Sequence, residues 1–277
     1  MTISHPLPLL ILGAGYTGEA LLAAAPRAGF TPLPASRTPA GKTTLDGRPW
    51  IQFDLNDETT WVHLTPAFHC VWLFPAVPLD RVTRFAERFD CRSKRVLVVG
   101  TTSSYLHEQE GADVNEDNAL DMNADRVQGE EYLRSVGATV LRASGIYGPA
   151  LGAHPARNPL SWLRRGMIAS PDSWVNLIHV SDLAAAILEA LKKDLRGEQL
   201  IVSDGTPRRW GEIGDWAVRS GVMAEVRYSG AGRKLSKKLS NTRLTSRLGQ
   251  VISHADLIAE LELLEGRQPR KDTSPAP

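Results

Sequence analysis

The 277-residue sequence predicts a doubly wound α/β fold, a parallel sheet between layers of helices, with a smaller C-terminal substrate lobe. Three observations carry this. A glycine triplet stands between an apolar strand and an alanine-rich helix in "LILGAGYTGEALLAAA", Leu10 to Ala25. Apolar β-type runs then alternate with helical patterns through the first half of the chain. Beyond about Pro149 the alternation loosens, which marks the lobe. The expected division is residues 1–150 for a dinucleotide-binding domain and 151–264 for the lobe, some of whose strands and helices return to the first core. Residues 265–277 form a tail expected to be disordered, because "GRQPRKDTSPAP" lacks apolar side chains.

Taken in order, "LPLLILGAG" reads as the first strand and "TGEALLAAAPRAG" as a helix closing at Gly29. "FTPLPASR" follows as a second strand, expected short or irregular because Pro32 and Pro34 each remove a ladder donor. "WIQFDL" and "HCVWLFP" are the next strands. "LDRVTRFAERF" repeats its apolar residues at helical spacing (Val82, Phe85, Ala86, Phe89), and "RVLVVGTTS" is the clearest buried strand. "RVQGEEYLRSVG" reads as a helix and "TVLRAS" as a strand. In the lobe "NPLSWLRRG" is a helix, "WVNLIHV" a strand, and Ser181 or Asp182 caps "LAAAILEALKK". "EQLIVSDG" and "RWGEIGDWAVRSG" add a strand and a helix. "RKLSKKLSNTRLTSRLG" reads as a solvated loop and helix, with no aromatics to suit a polyanion.

Composition sets limits on function. Thirty-two basic residues face 31 acidic ones, a net charge of +1, which provides no long-range attraction for nucleic acid or an anionic membrane. Cys70 and Cys91 are the two cysteines, so neither a disulfide framework nor a metal-ligand spacing exists, and no two histidines supply one; no metal is expected. Cys70, in "HCVWLFP", reads as a buried strand residue. The N-terminus lacks a basic signal region and no apolar run approaches membrane-spanning length, so a soluble, cytoplasmic protein is expected.

Gly13-Ala14-Gly15-Tyr16-Thr17-Gly18 is G-x-G-x-x-G in strand-to-helix context. The first glycine permits a tight turn, the second lets a pyrophosphate approach the backbone, and the third lets helix pack on strand. The helix N-terminus then offers N–H groups to phosphate. Tyr16 and Thr17 join the glycines as cofactor-binding candidates; the alternative is a glycine-rich turn without a ligand. An NAD site places an acid about 20 residues on, for the ribose 2′-hydroxyl. Ser36-Arg37 stands there instead. A carboxylate repels a 2′-phosphate, whereas Arg37 can clamp it, so NADP(H) is favoured over NAD(H). In "FDLND", Asp54 and Leu55 stand where the adenine edge would lie, although Asp54 could instead cap a helix over "DETTW".

These residues, together with "LFPAVP", "VVGTTSSY", "LRASGIYGPA" and "WVNLIHVSDLAAAILEAL", resemble the extended short-chain dehydrogenase/reductases, the NAD-dependent epimerase/dehydratase family, over most of residues 7 to 210. The resemblance implies an NAD(P)-binding Rossmann domain and a small lobe closing over a small-molecule substrate, often a nucleotide sugar. It adds Pro75, Ala76 and Ser144 to the cofactor-binding set. Relatives often pair through a helix bundle, so a homodimer is expected by analogy. Family enzymes carry a Ser/Thr after the fifth strand and Tyr-x-x-x-Lys on the next helix. Thr101 matches the hydroxyl, with Thr102 and Ser103 as near alternatives. In "MNADRVQGEEYL", registered by Glu130, Met122 replaces the tyrosine and Arg126 the lysine, on one helical face. A thioether transfers no proton, so the usual relay is excluded, while Arg126 could hold the nicotinamide ribose. The pattern resembles the atypical, YeeZ-like members.

Tyr105 and Tyr147 are candidate replacements for the lost phenol, each with the alternative of packing loop against loop. His107 could donate a proton, whereas His154 and His179 read as loop and strand-end residues. The catalytic candidates are therefore Thr101, Ser103, Tyr105 and Arg126. Two functions follow: an NAD(P)-dependent oxidoreductase or nucleotide-sugar epimerase/dehydratase-like enzyme of atypical mechanism, or a catalytically inactive NADP(H)-binding sensor. Loss of the tyrosine favours the sensor; the retained "TTSSY" cluster and C-terminal lobe favour the enzyme.

Overall fold

The computed structural model describes residues 6–44, 46–64, 68–230 and 235–267. The chain runs β1 (Leu7–Leu12), α1 (Tyr16–Ala24), β2 (Phe30–Ser36), β3 (Ile51–Gln52), β4 (His69–Trp72), α2 (Leu79–Arg88), β5 (Arg95–Thr101), β6 (Ala112–Val114), α3 (Asp125–Ser135), β7 (Thr139–Ala143) and β8 (Gly145–Tyr147). It continues through α4 (Leu160–Arg164), β9 (Trp174–Val175), β10 (Leu177–His179), α5 (Val180–Lys192), β11 (Gln199–Val202), β12 (Arg208–Arg209), α6 (Trp210–Arg219), β13 (Lys237–Leu239), α7 (Thr242–Leu248) and α8 (Leu257–Leu264).

Seven strands form one parallel sheet in the order β11-β7-β5-β4-β1-β2-β3. Its strands are apolar on both sides because both faces are covered. Leu9, Ile11, Val71, Leu97 and Leu141 pack toward α1 and α5; Leu10, Trp72, Val96, Val98 and Val140 pack toward α2 and α3. Strand order reverses beside β1, where the chain goes first to β2 and later to β4; open α/β sheets bind ligands at the carboxyl ends of strands at such a point.

Strand β2 is neither short nor irregular: it pairs with β1 over six residues, from Phe30 to Ala35. Alternate residues of a parallel strand face opposite neighbours. Ala35 accepts from Gly13 on the β1 side, while Ser36 accepts from Phe53 on the other. Pro32 and Pro34 share the parity of Ser36, so their nitrogens face the edge that β3 covers only at Ala35 and Ser36. No ladder donor is lost toward β1.

Other expectations change in detail. "WVNLIHV" divides into β9 and β10 at Asn176, whose side chain donates to Lys237 O and accepts from Leu239 N, both at 2.8 Å. The basic stretch is not wholly solvated: β13 pairs with β6, and Lys237 Nζ donates to Tyr105 O at 2.6 Å, with burial pushing its pKa down to about 8. Helix α8 is unanticipated; its Leu257 and Leu261 pack with Tyr147, Leu177, Trp210 and Ile213 in the core of the C-terminal part. At the start of the expected tail, Glu265 accepts from Asn158 and Arg164, and Arg267 donates to Ser220 O. Residues 268–277 lie outside the described residues. Both cysteines are free and buried, and burial raises both thiols, Cys91 to about 12. No described helix is long and apolar enough to cross a membrane.

Neither Ser181 nor Asp182 caps α5. The cap is His179, whose Nδ1 accepts from Ser181 N at 3.3 Å, so its ring is neutral at that nitrogen. His254 stacks on this ring at 3.9 Å, and Asp182 instead accepts from His254 N, His254 Nδ1 and Ser253 Oγ. Burial, and then the adjacent His254, push His179 down to about 4. Between the unfolded value near 6.5 and this folded value the unfolded chain binds more protons, so stability falls as pH falls. We expect urea denaturation at pH 5 to give a stability about 2 kcal/mol below that at pH 7.5. His179→Gln should flatten that dependence; an unchanged pH slope in the variant would remove His179 as its source.

Candidate active site

The glycine loop follows directly from β1. Gly13 has φ +80°, and a Cβ there would lie 2.7 Å from the Phe74 ring. Gly13 N and Ala14 N both donate to Ala35 O, which fixes the turn against β2. A Cβ at Gly18 would meet Ala14 Cβ at 3.2 Å and Leu73 at 3.5 Å, so helix and strand meet closely there. Gly15 has only Gly13 O, 3.9 Å away, near its missing Cβ. It is the N-cap of α1, and no side chain caps that end, so first-turn N–H groups remain open to an anion.

Two cavities meet on this loop, and both are lined by Gly13 and Gly15. The first, about 510 Å³, lies over the carboxyl ends of β2 and β3 and is lined by Ser36, Arg37, Lys42, Asp54, Leu55, Pro75 and His154. The second, about 650 Å³, lies over β5 and β7 and is lined by Tyr16, Thr17, Thr101, Arg126, Ser144 and Tyr147. They lie on either side of the glycine loop along the carboxyl edge of the sheet, and the two together are called the cleft.

The residues fit a dinucleotide. Ser36 and Ser144 line one cavity each, and their Oγ atoms are buried without a hydrogen-bond partner among the described residues; a buried hydroxyl needs one. Arg37 is exposed and makes no ion pair among the described residues. Asp54 does not cap the 3₁₀ turn over Glu58–His63; Asp57 does, accepting from Thr59 N, while the Asp54 carboxylate accepts from Asn56 N. Ala76 lies outside both cavities: its carbonyl would be 1.9 Å from a Cβ at Gly129, so it packs against α3.

At the far end, Thr101 Oγ1 accepts from Ser103 N at 3.2 Å and lies 3.0 Å from Ser103 Oγ. Thr102 is buried, with Oγ1 3.4 Å from Ala143 O, and neither Thr102 nor Ser103 lines the cavity. Arg126 lines it, held by Glu130 Oε1 at 2.6 Å and Val99 O at 3.2 Å. Helix α3 begins only at Asp125, so Met122 shares no helical face with Arg126; it sits in the preceding turn, half exposed and away from the cavity.

Nor does the structure bring Tyr105 to the cleft. Its side chain is packed with Val114, Ile201 and Leu239, and burial raises its phenol far above the usual value. His107 Nε2 donates to Leu235 O at 3.0 Å, outside both cavities. Tyr147 lines the larger cavity, but its hydroxyl donates to His254 O at 3.3 Å. Tyr16 donates to Pro149 O at 2.9 Å, and Arg157 lies 4.5 Å over its ring.

Sequence reading missed one end of the larger cavity. Arg157, Asn158, Ser161, Trp162 and Arg165 line the larger cavity, in a stretch without a motif. With Arg126 they give it three guanidinium groups and, among the described residues, no carboxylate in its lining, a surface suited to an anionic ligand. Arg142 was missed too, although a signal existed: an arginine inside a strand covered on both faces must find a carboxylate.

A seven-stranded parallel sheet reversing its order beside a glycine-loop strand defines a Rossmann-like α/β protein. Solved structures of that class share the fold. A conserved protein of unknown function from Silicibacter pomeroyi is 23% identical, with 95% of this chain and 99% of that chain covered at a TM-score of 0.73. A short-chain dehydrogenase/reductase superfamily protein from Agrobacterium tumefaciens, solved with bound NAD, is 15% identical (94% and 96% covered, TM-score 0.72). UDP-glucose 4-epimerase from Thermotoga maritima, solved with UDP-glucose, is 16% identical (94% and 98% covered, TM-score 0.71). No protein-family model matches the sequence, and no curated protein does.

Proposed function

We propose that this chain is a nicotinamide-dinucleotide-dependent oxidoreductase or nucleotide-sugar epimerase/dehydratase-like enzyme that works without the usual tyrosine, as in the atypical, YeeZ-like members it resembles. One observation carries the reading: two cavities that share the G-x-G-x-x-G loop, a serine with an unsatisfied buried hydroxyl lining each, and Thr101 and Arg126 lining the larger. Residues 1–150 would hold the dinucleotide and 151–264 the substrate. Ser36, Arg37 and Lys42 would take the adenosine ribose and its 2′-phosphate, which supports NADP(H) over NAD(H). The glycine loop and α1 N-terminus would take the pyrophosphate, and Ser144 and Arg126 the nicotinamide nucleotide. The nicotinamide, when bound, accepts or supplies the hydride. Thr101 is the hydroxyl in the cleft that would orient a substrate oxygen and pass a proton to it. Arg157 and Arg165 would hold an anionic substrate, for which a nucleotide sugar is suited. The proposal includes a cytoplasmic homodimer.

A second reading, an inactive NADP(H) sensor, is favoured by the phenols: Tyr16 and Tyr147 have committed hydroxyls, and Met122 and Tyr105 are outside the cleft. The test presents NADPH and NADP⁺ with nucleotide sugars and small carbonyl compounds and follows the nicotinamide absorbance. For the enzyme, Thr101→Val should lower kcat about 100-fold and Tyr105→Phe should leave it unchanged. Tight cofactor binding with no hydride transfer to any of them selects the sensor.

A further inference from the structure

A chain of buried polar groups runs beneath the larger cavity. Arg142, on β7, is fully buried, and each of its guanidinium nitrogens has a partner. Nη1 donates to Glu130 Oε2 and, at 3.1 Å, to Ser104 Oγ. Nη2 donates to Glu131 Oε1 at 2.7 Å, and Nε to Gln199 Oε1 at 3.1 Å. From these partners two branches reach the cleft. Glu130, also fully buried, accepts from Arg126 Nε with its other oxygen. Ser104 Oγ donates to Thr101 O at 2.6 Å. Between the branches Gly100 leaves room for the carboxylate: a Cβ there would stand 2.7 Å from Glu130 Oε2.

We propose that Arg142 is a positioning residue of this cleft, fixing the Arg126 guanidinium through Glu130 and the Thr101 main chain through Ser104. The inference rests on the reading of the cleft as a nicotinamide-dinucleotide site. A lone arginine in the first turn of a helix would sample several rotamers. Here Glu130 and Val99 O hold two of its nitrogens, leaving Nη1 without a partner among the described residues and open to a ligand oxygen. Glu130 can do this only because Arg142 immobilises it and balances its charge: a buried carboxylate with one partly exposed partner would be costly and mobile. The planar fork is essential, since one ammonium cannot reach Glu130, Glu131, Ser104 and Gln199 together.

The test uses Arg142→Lys, which keeps the buried charge, and reads binding of NADPH and NADH against ADP, a probe of the adenosine half alone. Arg142→Lys should weaken the preferred dinucleotide about tenfold and leave ADP within twofold. Arg126→Ala should do the same, and the double variant should lose no more than either single one. Equal losses for ADP and dinucleotide, additive losses, or unchanged binding in Arg142→Lys would each overturn the inference while leaving the dinucleotide reading in place. If the lysine variant does not fold, Ser104→Ala, which removes no charge, carries the test: a severalfold loss confined to the dinucleotide supports the relay, and no loss overturns it. Absence of dinucleotide binding by the wild-type protein would remove the reading of the cleft and this inference with it.

Discussion

Arg37→Asp is expected to weaken NADPH binding by ten- to a hundredfold and to leave NADH binding equal or better. Arg37 stands just past β2 in the cavity proposed to hold the adenosine, exposed and without an ion pair among the described residues. A charge-assisted hydrogen bond contributes about 1.5–3 kcal/mol, which corresponds to that range. An aspartate adds repulsion of a 2′-phosphate and offers an acceptor to a 2′-hydroxyl, so the two cofactors respond in opposite directions. Ser36 reinforces the argument, since its hydroxyl is buried beside Arg37 with nothing to bond among the described residues. Isothermal titration of both cofactors against both proteins checks it; unchanged selectivity would take Arg37 out of the site.

Gly129→Ala is expected to destabilise the protein by about 3 kcal/mol or more, lowering Tm by roughly 6–10 °C. The added Cβ would stand 1.9 Å from Ala76 O and 2.9 Å from Ala76 C, both backbone atoms that cannot rotate away. Helix α3 would have to lift from the segment after β4. That lift would carry Arg126, Glu130 and Glu131 with it, so dinucleotide binding should weaken alongside stability. Thermal denaturation within about 1 kcal/mol of wild type would show that the helix approaches less closely than described.

Much of the fold is legible in the sequence because it rests on short-range signals. β1, β5 and β7 are apolar runs that only a sheet covered on both faces accommodates, and the glycine spacing needs nothing beyond the strand and helix beside it. What was missed depends on distance. Pro32 and Pro34 look disruptive until the neighbouring strand shows that their nitrogens face a nearly open edge. Met122 and Arg126 share a face only if the helix has already begun, and its first residue is Asp125, with Ala124 as N-cap. His179 caps α5 although Ser181 and Asp182 are the better capping residues by type, because Asp182 is drawn to Ser253 and His254, about 70 positions on in the chain. Asn158, Ser161, Trp162 and Arg165 line the larger cavity in a stretch that no local pattern marks as functional.

The most direct measurement is titration of the purified protein with NADPH and with NADH. Saturable binding with NADPH the tighter ligand is the result predicted by a cleft that has Ser36, Arg37 and Lys42 at one end and the glycine loop at its middle. Binding of neither cofactor would contradict it, and would leave Gly13, Gly15 and Gly18 as the elements of a turn.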